Sequence, residues 1–331
     1  MQRHHTVQNK YLAQWKSKIN NQLNIYLIFK NEYIERGPNW KGFWKKDYNI
    51  YDEDKGNFYL PEEVTNKIDT EGLEAIKKVD GNLQKQLDGY DRSALAFYVA
   101  LQYIRTPKFR EETDKFMGEN IKFFMRKDIS SPDKFKISKE EILKQKPKNQ
   151  KEKEALEKIS TMTDEEINQQ SYKFLHSDDF EIRLTNTGHS KQILKIDRLA
   201  KNIFELKWNF AIAPKGTSFI TTDNPCFTIS SSKIRQGLLS PNVLIFFPLR
   251  PDLCIIIKPV LKSKKENYIN IDKKKVREIN KLILENSYQC AIAKDKIHLE
   301  CLTKNYDYKN HQKSRDVAVY KKGDYVMFNL E

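Results

Sequence analysis

The spacing of apolar residues changes twice along the chain. From Leu23 to Phe29 they alternate, with Ile25, Leu27 and Phe29 set against Tyr26 and Ile28, which predicts a strand. Gly37-Pro38 and Gly42 then punctuate a loop rich in aromatics: Trp40, Phe43, Trp44 and Tyr48. Beyond it the period lengthens. Pro61-Glu62-Glu63 suits a first helical turn, because Pro fits the first position and acids favour the positive end of a helix. Leu73, Ile76, Val79, Leu83 and Leu87 follow at spacings of three and four, on one helix face. A further helix is expected from Asp91 to Arg105, with Leu95, Tyr98, Val99, Leu101 and Gln102 inward. Thr106-Pro107 ends or kinks it, since proline disfavours helical geometry in the residue before it.

The stretch 126–170 is almost entirely polar and is broken at Ser130-Ser131-Pro132 and Lys146-Pro147-Lys148. It reads as an exposed helical excursion or a mobile loop. From Phe210 the pattern turns to strands. Phe219 to Thr222 ends at the turn signature Asp223-Asn224-Pro225, and Val243–Leu249 with Leu253–Ile257 flank Arg250-Pro251-Asp252 as a hairpin. A helix over Lys273–Glu285 turns Val276, Ile279, Leu282 and Ile283 inward, and short strands over Gln289–Ala293 and Tyr325–Phe328 follow. Helices first and strands later, without strict βαβ alternation, predict an α+β fold. Its helical N-terminal and middle region would pack on a mainly antiparallel sheet from the C-terminal third. The divisions are an arm and strand over 1–60, a helical region over 61–210 and a β-rich region over 211–331.

Composition narrows the picture. The chain has 331 residues, 39% of them hydrophobic, which is enough for a sizeable core despite the 31% that are charged. A net charge of +14 attracts polyanions, and nucleic acid is the commonest such partner; lysine-rich solvated helix faces are the plainer explanation. Cys226, Cys254, Cys290 and Cys301 show no metal-type spacing and lie among apolar residues, as expected of buried, reduced thiols. No signal-like apolar stretch follows Met1, and no apolar run is long enough to span a bilayer, so a soluble cytoplasmic protein is expected.

Several polar residues are candidates for chemistry. Imidazole titrates near neutral pH, so His4 and His5 suit a general base or a metal ligand; a surface pair at a frayed terminus is the alternative. Gln102 and Arg105 lie one helical turn apart and can face one cleft, where Arg105 would grip a phosphate or carboxylate through two hydrogen bonds. Otherwise Arg105 caps the helix end. Asp223 and Asn224, at a strand end, suit a rigidly held base or metal ligand, or else a simple Asx turn. Lys262-Ser263-Lys264-Lys265 and Lys273-Lys274-Lys275, with Tyr268 between them, offer phosphate contacts and a stacking ring, or a solvated helix start. The nucleotide-loop, nucleophile-elbow and zincin patterns do not occur.

Taken in order, these segments resemble a largely bacterial family, domain of unknown function 4238. Its opening His-His-x-Val-Pro and aromatic-Leu pair are similar to His4-His5-Thr6-Val7-Gln8 and Tyr11-Leu12, with Trp15 in place of Phe and Gln8 in place of Pro. Its helix end Arg-Thr-Pro resembles Arg105-Thr106-Pro107, followed by Arg110. Its Asp-Asn-Pro strand end, Phe-Pro-Leu element and Ile-Asn helix are similar to Asp223–Pro225, Phe247–Leu249 and Ile279-Asn280. The resemblance runs from His4 to about Ala293. It implies one family unit with a variable polar insertion, and it singles out His4, His5, Arg105, Asp223 and Asn224. It brings no activity with it.

Two functions follow. The first is a hydrolytic effector on nucleic acid, nuclease-like and suited to phage defence. Catalysis would fall to His4, His5, Arg105 and Asp223, with Gln102, Asn224, Lys264, Lys265 and Lys274 on the substrate; a divalent ion is compatible with that site. The second is a non-catalytic subunit that binds nucleic acid or a protein partner. There the polar motifs fasten the N-terminal arm to the sheet, and the aromatic loop offers the contact surface.

Overall fold

The computed structural model describes residues 3–52, 58–59, 62–81, 84–134, 138–147, 149–230, 237–260, 265–311, 317–322 and 325–330. Pro61, Leu83 and the Lys262-Ser263-Lys264 stretch lie outside these. The chain forms two compact units: residues 1–112, 185–318 and 328–331 in one, 113–184 and 319–327 in the other.

Two sheets organise the larger unit. The five-stranded sheet has the order Asn267–Asn270, Lys207–Ile212, Leu253–Lys258, Val243–Arg250, Phe227–Ser230. All its pairings are antiparallel except the first. The expected hairpin is present, with Phe247 opposite Ile255 and a register shift between Pro248 and Arg250. The four-stranded sheet has the order Glu32–Arg36, Leu23–Leu27, Cys290–Ala293, Thr221–Thr222. The sheet strands therefore do not all come from the C-terminal third, because the N-terminal hairpin pairs with Cys290–Ala293.

Strand periodicity explains why these sheets are interior. Side chains alternate faces, so an apolar run such as Leu253–Ile257 feeds two cores at once. Leu253, Ile255 and Ile257 join one core with Trp208, Phe210, Ile245 and Phe247. Cys254 joins the other, with Ala211, Phe227 and Phe246. The smaller sheet divides likewise, with Ile25 and Ile292 on one side and Tyr26 and Ala291 on the other. Helices Glu62–Lys78, Gly89–Ile104 and Ile196–Glu205 cover the first core, and Lys273–Glu285 the second. The fold is α+β.

Local chemistry sets the helix ends. Asp88 caps Gly89–Ile104 by accepting from the Asp91 amide at 2.8 Å. Pro107 then opens Pro107–Asp128, with Thr106 Oγ1 accepting from the Phe109 amide at 3.3 Å. Helix Glu62–Lys78 stops short of the length its apolar spacing predicts. Val79 is buried beyond the helix, and Gly81 sits so close to Ile212 that an added Cβ would lie 2.9 Å from Cδ1. The chain thus leaves the helix to follow the sheet. Strand Leu23–Leu27 also ends early, in a 3-10 turn over Ile28–Lys30 closed by left-handed Asn31 (φ 53°).

The aromatic loop is only partly available as a surface: Phe43 and Tyr48 are buried. Three of the cysteines are buried thiols, but Cys301 is exposed. In the smaller unit the polar segment is helical, over Lys139–Leu143, Gln150–Ser160 and Asp164–His176. The last starts from a capping box between Thr163 and Glu166. No helix among the described residues is long and apolar enough to cross a membrane.

Candidate functional site

Arg105 ends its helix fully inside the larger unit, 4% exposed. Its Nη1 donates to Asp69 Oδ2 at 2.9 Å. Asp69 lies on helix Glu62–Lys78 at the spacing i, i+4, i+7 with Leu73 and Ile76, so a carboxylate occupies the apolar stripe. Burial pushes its carboxyl above the usual range, against the opposing pull of the Arg105 charge and hydrogen bond and of nearby His5.

The rest of this cluster is only partly satisfied. Arg105 Nε and Nη2, Asp69 Oδ1, and both amide atoms of fully buried Gln102 have no hydrogen-bond partner among the described residues. Buried polar groups are nearly always paired, and each orphan costs about 1–3 kcal/mol. Nε and Nη2 form the side-on edge of the guanidinium, two parallel N–H groups that match two oxygens of a phosphate or carboxylate. Gln102, one turn back on the same helix, adds a donor and an acceptor. As expected from the sequence, Gln102 and Arg105 share the inner side of one helix.

The N-terminal arm closes over this group. Gln8 Oε1 accepts from the buried Tyr98 hydroxyl at 2.7 Å, and Gln8 Nε2 donates to the Asp69 carbonyl at 3.3 Å. Gln8 keeps φ at −66°, the value proline would impose, while supplying a side chain that proline lacks. Helices Glu62–Lys78 and Gly89–Ile104 approach closely at Gly72, where an added Cβ would come within 2.3 Å of Tyr98 Cβ. His5 is exposed, and its Nε2 accepts from Asn9 Nδ2 at 3.3 Å.

His4 is buried and faces elsewhere. Its Nδ1 accepts from the Tyr48 and Asn49 amides at 2.9 and 3.2 Å. An accepting Nδ1 places the proton of the neutral ring on Nε2, so His4 is held as a donor. Arg110 braces the same turn, donating to the Tyr48 carbonyl at 2.7 Å and Asn49 Oδ1 at 2.9 Å while stacking 3.4 Å from the Tyr48 ring centroid.

Asp223 is also buried, and both its oxygens are engaged. Oδ1 accepts from the Tyr288 amide at 3.0 Å and the Cys290 amide at 3.4 Å; Oδ2 accepts from the Gln289 amide at 2.8 Å. Burial outweighs these bonds and pushes its carboxyl up to about 6. Asn224 accepts from Thr106 Oγ1 at 3.0 Å and donates to the Asn286 carbonyl at 2.9 Å. The Asp-Asn pair thus ties the segment 286–290 to the junction between two helices. Lys265 is exposed ahead of strand Asn267–Asn270, and Lys274 is exposed in the first turn of helix Lys273–Glu285. Lys264 lies outside the described residues.

The structure therefore joins Arg105 and the arm at Asp69, which the sequence reading passed over, leaves Gln102 buried one turn back on the Arg105 helix, and gives His4 and Asp223 separate partners. The missed signal was an acid inside a helical apolar stripe. Among the described residues no group of three or more His, Cys, Asp or Glu could hold a metal ion.

A family model described as "Protein of unknown function (DUF4238)" matches residues 3–297. The chain belongs to this family. Within this DUF4238 chain the match covers the histidine arm, Asp69, the Arg-Thr-Pro helix end and the Asp-Asn-Pro clamp. No curated protein and no solved structure matches it.

Proposed function

We propose that the protein recognises a phosphorylated ligand, a nucleotide or a nucleic-acid end, by seating its phosphate on the Nε–Nη2 edge of Arg105. One observation carries this reading: a buried guanidinium is anchored through Nη1 to Asp69 while its bidentate edge has no partner among the described residues. Gln102 and Asp69 Oδ1 stand ready for the ligand's remaining polar groups, and the +14 charge draws polyanions toward the molecule. With Arg105 only 4% exposed, this reading takes a terminal phosphate or a mononucleotide as the ligand rather than a duplex groove.

Binding stands ahead of hydrolysis through His4, because that ring keeps its proton on Nε2 and Asp223 spends both oxygens on backbone amides. A hydrolytic version would place the base at Asp69, whose Oδ1 has no partner and whose carboxyl is raised by burial. Incubation with 5′-phosphorylated and 5′-hydroxyl DNA and RNA, with and without divalent ions, separates these versions. Binding alone predicts retention of the phosphorylated oligonucleotides without cleavage, lost in Arg105→Lys. Cleavage that survives in His4→Ala and disappears in Asp69→Asn would establish the hydrolytic version. Equal retention of 5′-phosphate and 5′-hydroxyl ends would refute both.

A further inference from the structure

A cavity of about 890 Å³ opens in the larger unit, within the size range of small-molecule pockets. Its cations are Lys18, Lys273, Arg277, Lys294 and Lys296. Its two acids are already occupied: Glu35 accepts from Asn20 Nδ2 at 2.8 Å, and Asp295 accepts from the Ile297 and His298 amides at 2.8 and 3.2 Å. Lys296 lies 3.9 Å from Glu300, whereas Lys18, Lys273, Arg277 and Lys294 have no carboxylate partner among the described residues. Five cations against two acids leave the lining net positive.

The lining is mostly polar, with four aliphatic residues among it: Ile19, Val276, Ile297 and Leu302. Val276 is buried and Leu302 half-buried at the lining. Ile19 and Ile297 flank them at 97% and 70% exposure, unusual for isoleucine. Among the described residues no Phe, Tyr or Trp lines the cavity, so a nucleobase would find no stacking platform there. His298 sits half-buried at the lining, bonded to Ser218 Oγ at 3.3 Å and to Asn280 Nδ2 at 3.4 Å.

We propose that this cavity binds an anionic amphiphile, an aliphatic chain ending in a carboxylate or a phosphate. The chain would lie between Ile19, Ile297, Val276 and Leu302, and the head group would meet Lys273, Arg277 and Lys294. This goes beyond the Arg105 reading and does not depend on it.

The test is fluorescence titration with a dansyl-labelled undecanoic acid, followed by displacement with lauric acid, dodecyl phosphate, dodecanol or AMP. Saturable binding is expected, displaced by the acid or the alkyl phosphate; the relative strength of these two identifies the preferred head group. Dodecanol and AMP should need at least about tenfold higher concentration, the loss expected when charge complementarity is missing. Arg277→Glu, at an exposed position, should weaken binding by at least about tenfold. Arg105→Lys should leave it unchanged. Failure of the probe to saturate, displacement by dodecanol or AMP as effective as by the acid, or an unaltered Arg277→Glu titration would overturn the proposal.

Discussion

Arg105 Nη1 meets Asp69 Oδ2 at 2.9 Å inside the protein, and this bond anchors the guanidinium while its Nε–Nη2 edge has no partner among the described residues. The pair is a support before it is a site. Replacing Arg105 with Met should leave Asp69 buried without its cation and cost about 3–5 kcal/mol, whereas Arg105→Met with Asp69→Leu should cost far less. Urea unfolding of both variants measures this. Equal losses in the single and double variants would show that the ion pair is not what supports this region.

Asp223 and His311 both fasten the 287–290 segment, but they titrate with opposite signs. The Asp223 carboxyl is raised by burial from 3.8 to about 6, so its contribution to stability falls as pH rises through that window, by about 3 kcal/mol. His311 donates from Nε2 to the Ser287 carbonyl at 3.2 Å and accepts from the Tyr306 hydroxyl. Burial lowers its pKa from 6.5 to about 4, so its contribution falls as pH drops through that window. The two trends offset each other in the wild type. Thermal melts between pH 4 and 6.5 should show Asp223→Asn losing stability toward acid more steeply than wild type, and His311→Gln losing it less steeply. Parallel curves for all three proteins would contradict this.

Gly72→Ala tests the helix contact beneath the site. The new methyl would meet the Tyr98 side chain at 2.3 Å, too close to be absorbed without moving one helix. A loss of about 1–3 kcal/mol is expected, typical of overpacking. Because Tyr98 holds Gln8, ligand binding at Arg105 should weaken as well. Calorimetric melting with a parallel binding titration checks both effects.

Much of this was legible in the chain itself. The hairpin around Arg250-Pro251-Asp252 and the helix Lys273–Glu285 follow from local periodicity and turn chemistry, and both formed where the pattern placed them. The pairing of Leu23–Leu27 with Cys290–Ala293 did not, because no local signal records a partner more than 260 residues away. Gln102 and Arg105 were legible as neighbours on one helix face. Asp69 was readable in principle, as an acid at apolar spacing, but reading only the hydrophobic positions hides it. The roles of His4 and Asp223 rest on backbone amides from distant turns, and side-chain patterns carry no information about those.

The central claim is that the free edge of Arg105 receives a phosphate. Isothermal titration of the purified protein with AMP and with adenosine, in wild type and Arg105→Lys, examines it most directly. The lysine variant keeps a positive charge but loses the bidentate edge. The account predicts saturable AMP binding by wild type, adenosine weaker by about tenfold or more, and AMP affinity in Arg105→Lys reduced to the adenosine level. Equal affinity for AMP and adenosine, or undiminished AMP binding by Arg105→Lys, would contradict it.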